Sequence, residues 1–442
     1  MTRFLPSARR ARRPAPRPRP LLAAAWALAG AAAMAQTPPP ALTLDQAVHT
    51  AHARSLQLQA QEAAAAAARH MAVAAGQRPD PVLKAGIDNL PTEGPEAWSV
   101  ARDFMTMRSI AVMQEFTRAD KRRARAARFE REAEAAEAAR AVAEAQVQRD
   151  TATAWLDRHY QERMLALLLG QRDEARLQVD AADAAYRGGR GAQADLFAAR
   201  SALAQADDRI AQAERQVATA TTRLVRWVGD AARAPLAPPP ALDTVRLDLA
   251  RLDVVLGHHP EVALRTRQEE VARAEAEMAR TERRPDWTAE LAYSQRGPAF
   301  SPMVSFNVSV PLPWNRADRQ DRELAARLAT VERMRAEREE TTREHVAETR
   351  ALLQEWQGQR ARAERYDAAL VPLAGERTRA ALAAYRGGAG RLGDVLEARR
   401  MEIDARMERL RLEMDAARLW AQLRYLVPEA HVPAHDTAAP PR

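Results

Sequence analysis

Cysteine occurs nowhere in the 442 residues, so disulfides, thiolate metal ligands and a lipid anchor carried on cysteine are excluded. Aromatic residues are scarce at 5%, glycine supplies only 17 positions, and alanine, arginine, glutamate and leucine dominate what remains. That balance favours long helices. Catalytic signatures are missing too: there is no nucleophile elbow, phosphate-binding glycine loop or recognisable carboxylate pair, so the chain is expected not to be an enzyme and to need no cofactor. No metal site is expected. His258 and His259 precede Pro260 with no further His or Cys at ligand spacing and read as a surface turn, while EHVAE at 344 to 348 lacks the second histidine of a zincin motif. Met105, Met107 and Met113 share one face of an extended segment, where they either pack on a lipid-facing side or offer thioethers to a soft metal such as Cu(I).

Basic charge is less abundant than the formal +8 suggests. Seven arginines and no acid lie within the first 35 residues, which combine an Arg-rich start, an apolar run from Leu21 to Ala35 and "AMA" before Gln36. These features predict an export signal over 1–35, either of the general secretory type or, from its paired arginines, of the twin-arginine type. Removing it lowers the charge by seven, from +8 to +1, which leaves no electrostatic footprint for nucleic acid. Export without cysteine fits the periplasm or outer membrane of a Gram-negative bacterium.

Hydropathy periods divide the remainder into two similar halves. Residues 36–230 read as a helix (about 43 to 78), two extended runs (80–91 and 104–117), a helix from about Ala119 to Tyr186, a glycine break at 186–191 and a shorter helix to Trp227. A proline-rich border follows at 231–245, and 246–428 repeats the order: a short helical piece (246–257), a helix from Pro260 to Arg284, strands at 286–297 and 303–313, a helix from about Arg316 to Tyr385, a break at 385–390 and a last helix. Residues 429–442 form a tail. The glycine breaks are nearly identical, AAYRGGRGAQADLFAAR at 184–200 and AAYRGGAGRLGDVLEAR at 383–399, which marks them as hairpin tips of two repeats. At about 1.5 Å per residue, each long helix spans roughly 100 Å; in the first half its two shorter neighbours laid end to end match it, and in the second half they match less well.

The strands alternate. Leu83, Ile87, Trp287, Leu291, Tyr293, Phe306, Val308 and Val310 fall on one face and are assigned to lipid; Lys84, Asp88, Glu290, Ser294, Arg296, Asn307 and Ser309 fall on the other, assigned to a watery lumen. Alternation equally permits a soluble sheet half-buried against helices. Four strands cannot close a barrel alone, so a transmembrane reading requires several chains.

Two repeats of helix, strand pair, long helix and tip turn resemble the TolC family of outer-membrane channel proteins over about 40 to 428. The phrases IDNLP, VMQEFTRADKRR, PDWTAELAYSQRGP and VSVPLPWNRADRQDRE are most similar to its CzcC branch, which serves heavy-metal efflux. The resemblance implies a mainly α fold with a small β part: a homotrimer whose twelve strands form one β-barrel in the outer membrane, above a periplasmic α-helical tunnel. It implies a periplasmic adaptor and an inner-membrane RND transporter as partners, besides the lipid itself. Within the duct reading, heavy-metal efflux, drug efflux and type I protein secretion all stay open; a periplasmic coiled-coil adaptor and a structural coiled coil are the readings from other classes.

The same resemblance places a periplasmic gate at Asp394 and Glu397, with Asp195 as the first-repeat counterpart of Asp394 and Ala198 opposite Glu397. Each acid has an ordinary alternative, since a carboxylate in the first turn caps a helix. Arg187, Gly188, Gly189, Arg386, Gly387 and Gly388 are the tip residues expected to dock the adaptor, although turn geometry and solvation also account for them.

Overall fold

The computed structural model describes residues 41–245, 257 and 259–426. The export segment, the C-terminal tail, His258 and nearly all of the short helical piece at 246 to 257 lie outside the described residues.

Helix α1 (Leu44–Arg54) opens with a capping box in which the Thr43 hydroxyl accepts from the Gln46 N–H and the Gln46 side chain accepts from the Thr43 N–H. The single first helix read from the sequence is in fact two. Ser55 leaves the helical region (φ −70°, ψ 110°) and its hydroxyl accepts from the Leu58 N–H, starting α2 (Leu56–Ala75). A capping side chain here outweighs unbroken alanine periodicity.

Helix α3 (Ala119–Arg187) is 69 residues long and is the spine of the chain. Both α2 and α4 (Gln193–Val228) lie against it, so the two shorter elements flank the long one end to end. The second half repeats this with α5 (Pro260–Glu282), α6 (Gln320–Arg365), α7 (Val371–Arg386) and α8 (Leu392–Arg424), where α5 packs on α6, and α8 packs on α6 and α7. Between α6 and α7 the helix widens into a π-turn at Tyr366–Leu370, just before Pro372. Proline has no N–H to donate back, and a π-turn absorbs that defect without ending the helix, which is why the sequence reads as one run.

The four strands form one antiparallel sheet in the order β1 (Val82–Asp88), β2 (Met107–Phe116), β3 (Trp287–Gln295), β4 (Met303–Ser309). β1 and β4, at 7 residues each, are shorter than the 9 to 11 expected of a membrane-crossing strand, whereas β3 and β2 reach 9 and 10. β4 stops before Val310 because Pro311 and Pro313 cannot donate to a ladder.

Aromatic and aliphatic side chains are concentrated where the helices cross at mid-length. Trp155, Leu156, Leu224, Trp356, Trp420 and Ala421 form one cluster, and the proline-rich stretch is strapped onto it. Trp155 Nε1 donates to the Leu42 carbonyl at 3.1 Å, Trp420 Nε1 to Thr244 at 3.0 Å, and Arg360 to Asp243 at 2.7 Å. Leu42 also bridges to Leu236. The border between halves is thus a packed belt in which the Thr244 carbonyl accepts from the Trp420 indole and the Asp243 carbonyl from Arg360. Away from it the helices meet mainly through alanine: Ala199, Ala206, Ala213 and Ala220 recur every seventh residue along α4 and are all buried.

Candidate functional site

The two tips are built alike, hydrogen bond for hydrogen bond. In the first, Gly189 N–H donates to Tyr186 O and Arg190 N–H to Ala185 O; in the second, Gly388 N–H donates to Tyr385 O and Ala389 N–H to Ala384 O. This is the Schellman arrangement, and it requires a left-handed residue. Gly189 (φ +69°) and Gly388 (φ +75°) supply it, whereas Gly188 and Gly387 have φ of −78° and need no glycine on that ground. Gly191 and Gly390, which sequence reasoning passed over, are constrained differently: a Cβ there would lie 3.1 Å from the Ala185 and Ala384 side chains.

The tip acids begin as caps. Asp195 accepts from the Ala192 N–H at 3.4 Å and Asp394 from the Arg391 N–H at 3.2 Å. Glu397 caps nothing; it is exposed and stands 3.7 Å from Arg377. Arg187 pairs within its own helix with Asp183 at 2.8 Å, while Arg386 has no ion pair among the described residues. Between the acids, Ala182, Leu196, Ala199, Leu392 and Val395 join the two hairpins in an apolar cluster. Farther from the tips the hairpins part around a cleft of about 340 Å³ lined by both Ala198 and Glu397, with Arg399 and Arg400 beside them. Repeat-equivalent positions thus face one space, one neutral and one acidic.

At the other end, pairing register settles which strand residues share a face. Leu83 is opposite Val112, Ile110 opposite Tyr293, Phe116 opposite Trp287, and Leu291 opposite Phe306. Leu83, Ile87, Trp287, Leu291, Tyr293, Phe306 and Val308 therefore lie on one face, joined by Ile110, Val112 and Val304, which the sequence reading did not name. No helix among the described residues covers this face: Phe306 and Val304 are 70% and 71% exposed, which is at odds with a soluble sheet half-buried against helices. The opposite face carries Lys84 and Glu290, whose 2.5 Å ion pair spans the small Ala111 side chain of the strand between them, and the Ser109 hydroxyl donates to Asp88 at 2.7 Å. Met107 and Met113 belong to this polar face, not to the apolar one that the sequence left open for them.

Where helices meet sheet, Lys121 is 6% exposed and holds Glu282 at 2.5 Å and Asp286 at 2.7 Å. Burial lowers the Lys121 pKa, but the hydrogen bonds its ammonium donates to Asp286 and Glu282 more than offset this and leave it above its usual value. Burial pushes Asp286 up, and the hydrogen bonds it accepts from Lys121 and from the Arg118 N–H override this, so the carboxyl ends below the usual carboxylate range.

Comparison with known proteins bears on the whole arrangement. The family model described as "Outer membrane efflux protein" matches residues 252–427. Similar solved structures include the outer membrane protein VceC of Vibrio cholerae (TM-score 0.71, 19% identity, 87% of this chain and 95% of that one) and CusC, whose structures concern folding and transmembrane channel formation (0.72, 16%, 86% and 91%). The Campylobacter jejuni CmeC outer membrane channel is also similar (0.70, 13%, 86% and 85%). Among curated proteins none matches.

The family match stops at residues 252–427, less than half of the chain. The described residues, first half included, have the fold of these solved structures, a long helical body with a four-stranded sheet at one end. That family is one of efflux proteins rather than enzymes. No helix among the described residues is long and apolar enough to cross a membrane.

One expectation is overturned outside the tips. His259 is buried, not a surface turn: its Nδ1 accepts from the Glu261 N–H, and its ring lies 4.1 Å from that of His345, the histidine of EHVAE. His345 in turn contacts Glu261 at 2.8 Å. Their separation of 86 positions hid the contact, and no metal-binding group of three His, Cys, Asp or Glu residues exists among the described residues.

Proposed function

We propose that the protein is the outer-membrane exit duct of a tripartite efflux system, a passive homotrimeric channel whose helical body stands in the periplasm and meets an adaptor, and through it an inner-membrane RND transporter. The observation that carries this reading is the uncovered apolar face on a sheet with two free edges. In lipid, unpaired strand edges cost several kcal/mol per group, so a four-stranded sheet is tolerable only when copies close it into a barrel. Three copies give twelve strands, with Leu83, Ile87, Trp287, Leu291, Tyr293, Phe306, Val308 and Val310 toward lipid.

The cargo in this reading is a heavy-metal cation, as in the CzcC branch. Its support is the asymmetry of the tips. Asp394 and Glu397, one helical turn apart, have only one matching acid in the first repeat, and threefold symmetry turns them into carboxylate rings that favour cations. The exposed tip turns around Arg187, Gly188, Gly189, Arg386, Gly387 and Gly388 are the surface offered to the adaptor.

Single-channel conductance in a planar bilayer tests both levels. Wild-type trimers are expected to conduct cation-selectively and to be blocked by divalent or trivalent cations added from the tip side, with block lost in Asp394→Ala plus Glu397→Ala. Conductance and block indifferent to the double substitution would leave the acids as caps and remove the gate; absence of any conductance from folded trimers would overturn the duct.

A further inference from the structure

Sequence and fold leave one amphipathic stretch unused. After β4 the chain runs VPLPWNRADRQDR from Val310 to Arg322, and its apolar residues recur at every second position: Val310, Leu312 and Trp314. All three are exposed, and Trp314 is 92% exposed, more than any other large apolar side chain among the described residues. Burying such a ring against water alone gains nothing; an indole that stays outside its own fold suits a boundary where one side is apolar and the other wet.

Cations gather beside it. The cavity of about 710 Å³ behind Pro311 to Pro313 is lined by Lys121, Arg283 and Arg319 and equally by Glu115, Glu282 and Asp286, which brings the start of α3 and the start of α6 to the same place. From Arg118 to Arg125 five cations accompany a single acid, Asp120. Acids of the junction are largely committed within the fold: Asp120 to Arg118 at 2.9 Å, Glu282 and Asp286 to Lys121, and Asp321 to Arg283 at 2.8 Å and Arg316 at 3.5 Å. Arg123, Arg319 and Arg322 are exposed and have no ion-pair partner among the described residues. Asp318 and Glu323 are exposed as well, so the surplus is local rather than sweeping. On the sheet itself, Phe116 and Trp287 stack at 4.1 Å at this same helix-proximal end.

We infer that Trp314 with Arg123, Arg319 and Arg322 forms a binding site for the phosphate headgroups of anionic glycerophospholipids in the periplasmic leaflet. The inference rests on the proposal above that the sheet spans the outer membrane, since that reading puts the helix-proximal end of the sheet at this leaflet. Its chemistry is ordinary: the indole inserts beside the glycerol region, and guanidinium groups, whose donor fork matches a phosphate, sit just outside it. Each basic residue near an anionic surface contributes about a fivefold preference at low ionic strength, lost as salt shortens the screening length.

Tryptophan quenching by brominated lipid tests it on the full trimer. The signal of Trp314, taken as the difference between wild type and Trp314→Phe, is compared in phosphatidylcholine vesicles containing a minor fraction of brominated phosphatidylglycerol or the same fraction of brominated phosphatidylcholine. The expected result is quenching of Trp314 several-fold stronger by the glycerol lipid, abolished by Arg123→Gln with Arg319→Gln and Arg322→Gln, restored by lysine at the same positions and weakened by salt. Equal quenching by both lipids, or indifference to the triple substitution, would overturn the site. Trp314 shielded from both lipids would mean that a neighbouring copy covers it, and would overturn the site as well. Failure of the spanning reading looks different: Trp287 would then also escape quenching and the vesicles would show no conductance.

Discussion

Lys121→Met removes the buried cation that ties α3 to α5 and to Asp286, the residue just before β3. Its ammonium sits between Glu282 and Asp286, whose side chains are 33% and 12% exposed. Breaking a buried ion pair by deleting one partner typically costs about 3 to 5 kcal/mol, because the surviving charge stays buried without compensation. Two features of this site lower that figure. Glu282 retains Arg125 at 3.2 Å, and Asp286 retains the Arg118 N–H at 3.0 Å, so the expected loss is about 3 kcal/mol. Denaturant unfolding of the detergent-solubilised protein, followed by far-ultraviolet circular dichroism, should show a clear drop in the midpoint. Lys121→Met with Asp286→Asn should recover more than half of it, since both members of the pair are then neutral. The pH dependence follows in sign. Asp286 has a lowered pKa, so its contribution is full above about pH 4 and fades as pH falls through its depressed value; Lys121 has a raised pKa, so its contribution holds below about pH 10 and fades above. A Lys121→Met midpoint within about 0.5 kcal/mol of wild type, or strict additivity of the double variant, would refute the idea that this triad is load-carrying in any energetic sense.

The tip glycines separate by backbone conformation: Gly189→Ala and Gly388→Ala should each cost about 1 to 2 kcal/mol for forcing a side chain into the left-handed region, whereas Gly387→Ala should be near neutral or slightly stabilising, as denaturation midpoints will show. His259 should titrate at about 4, with burial as the main cause and His345 as the second, so that its neutral form supports the fold fully above about pH 6.5 and up to about 3 kcal/mol is lost between there and pH 4. His259→Gln should remove that part of the acid sensitivity in a pH series of unfolding midpoints; an unchanged acid limb would contradict it.

Much of the architecture was legible because the signals are local and periodic. Sixty-nine residues of α3 carry no helix breaker except Gly170, which lies in open space and disturbs nothing. Strand alternation was equally readable, and Leu83, Trp287 and Phe306 fall on one face because a period of two leaves no other choice once the register is fixed. The misses have physical causes of two kinds. Ser55 and Pro372 act within one turn of helix, where a cap or a missing donor overrides a pattern spread over tens of residues. His259 with His345, Lys121 with Asp286 and Lys84 with Glu290 are pairs separated by 86, 165 and 206 positions. Composition and spacing carry no information about such contacts, because they are set by how the helices and strands dock.

The duplicated tips show which residues turn geometry dictates and which it leaves free. Gly189 and Gly388 provide the positive φ, Asp195 and Asp394 cap the returning helix, and Leu196 and Val395 fill the same apolar cluster, so identity or near identity at these positions needs no functional explanation. Ala198 and Glu397 stand in equivalent places, line the same cleft and differ completely in charge. Neither makes a cap, and Glu397 is only loosely held by Arg377. An exposed ion pair of that length adds little stability, typically below 1 kcal/mol, so packing and capping do not account for a carboxylate on one hairpin only. The two halves thus agree wherever the turn imposes a residue and diverge one helical turn beyond it, and this divergence, rather than the acids common to both tips, is what a cation gate has to be built on.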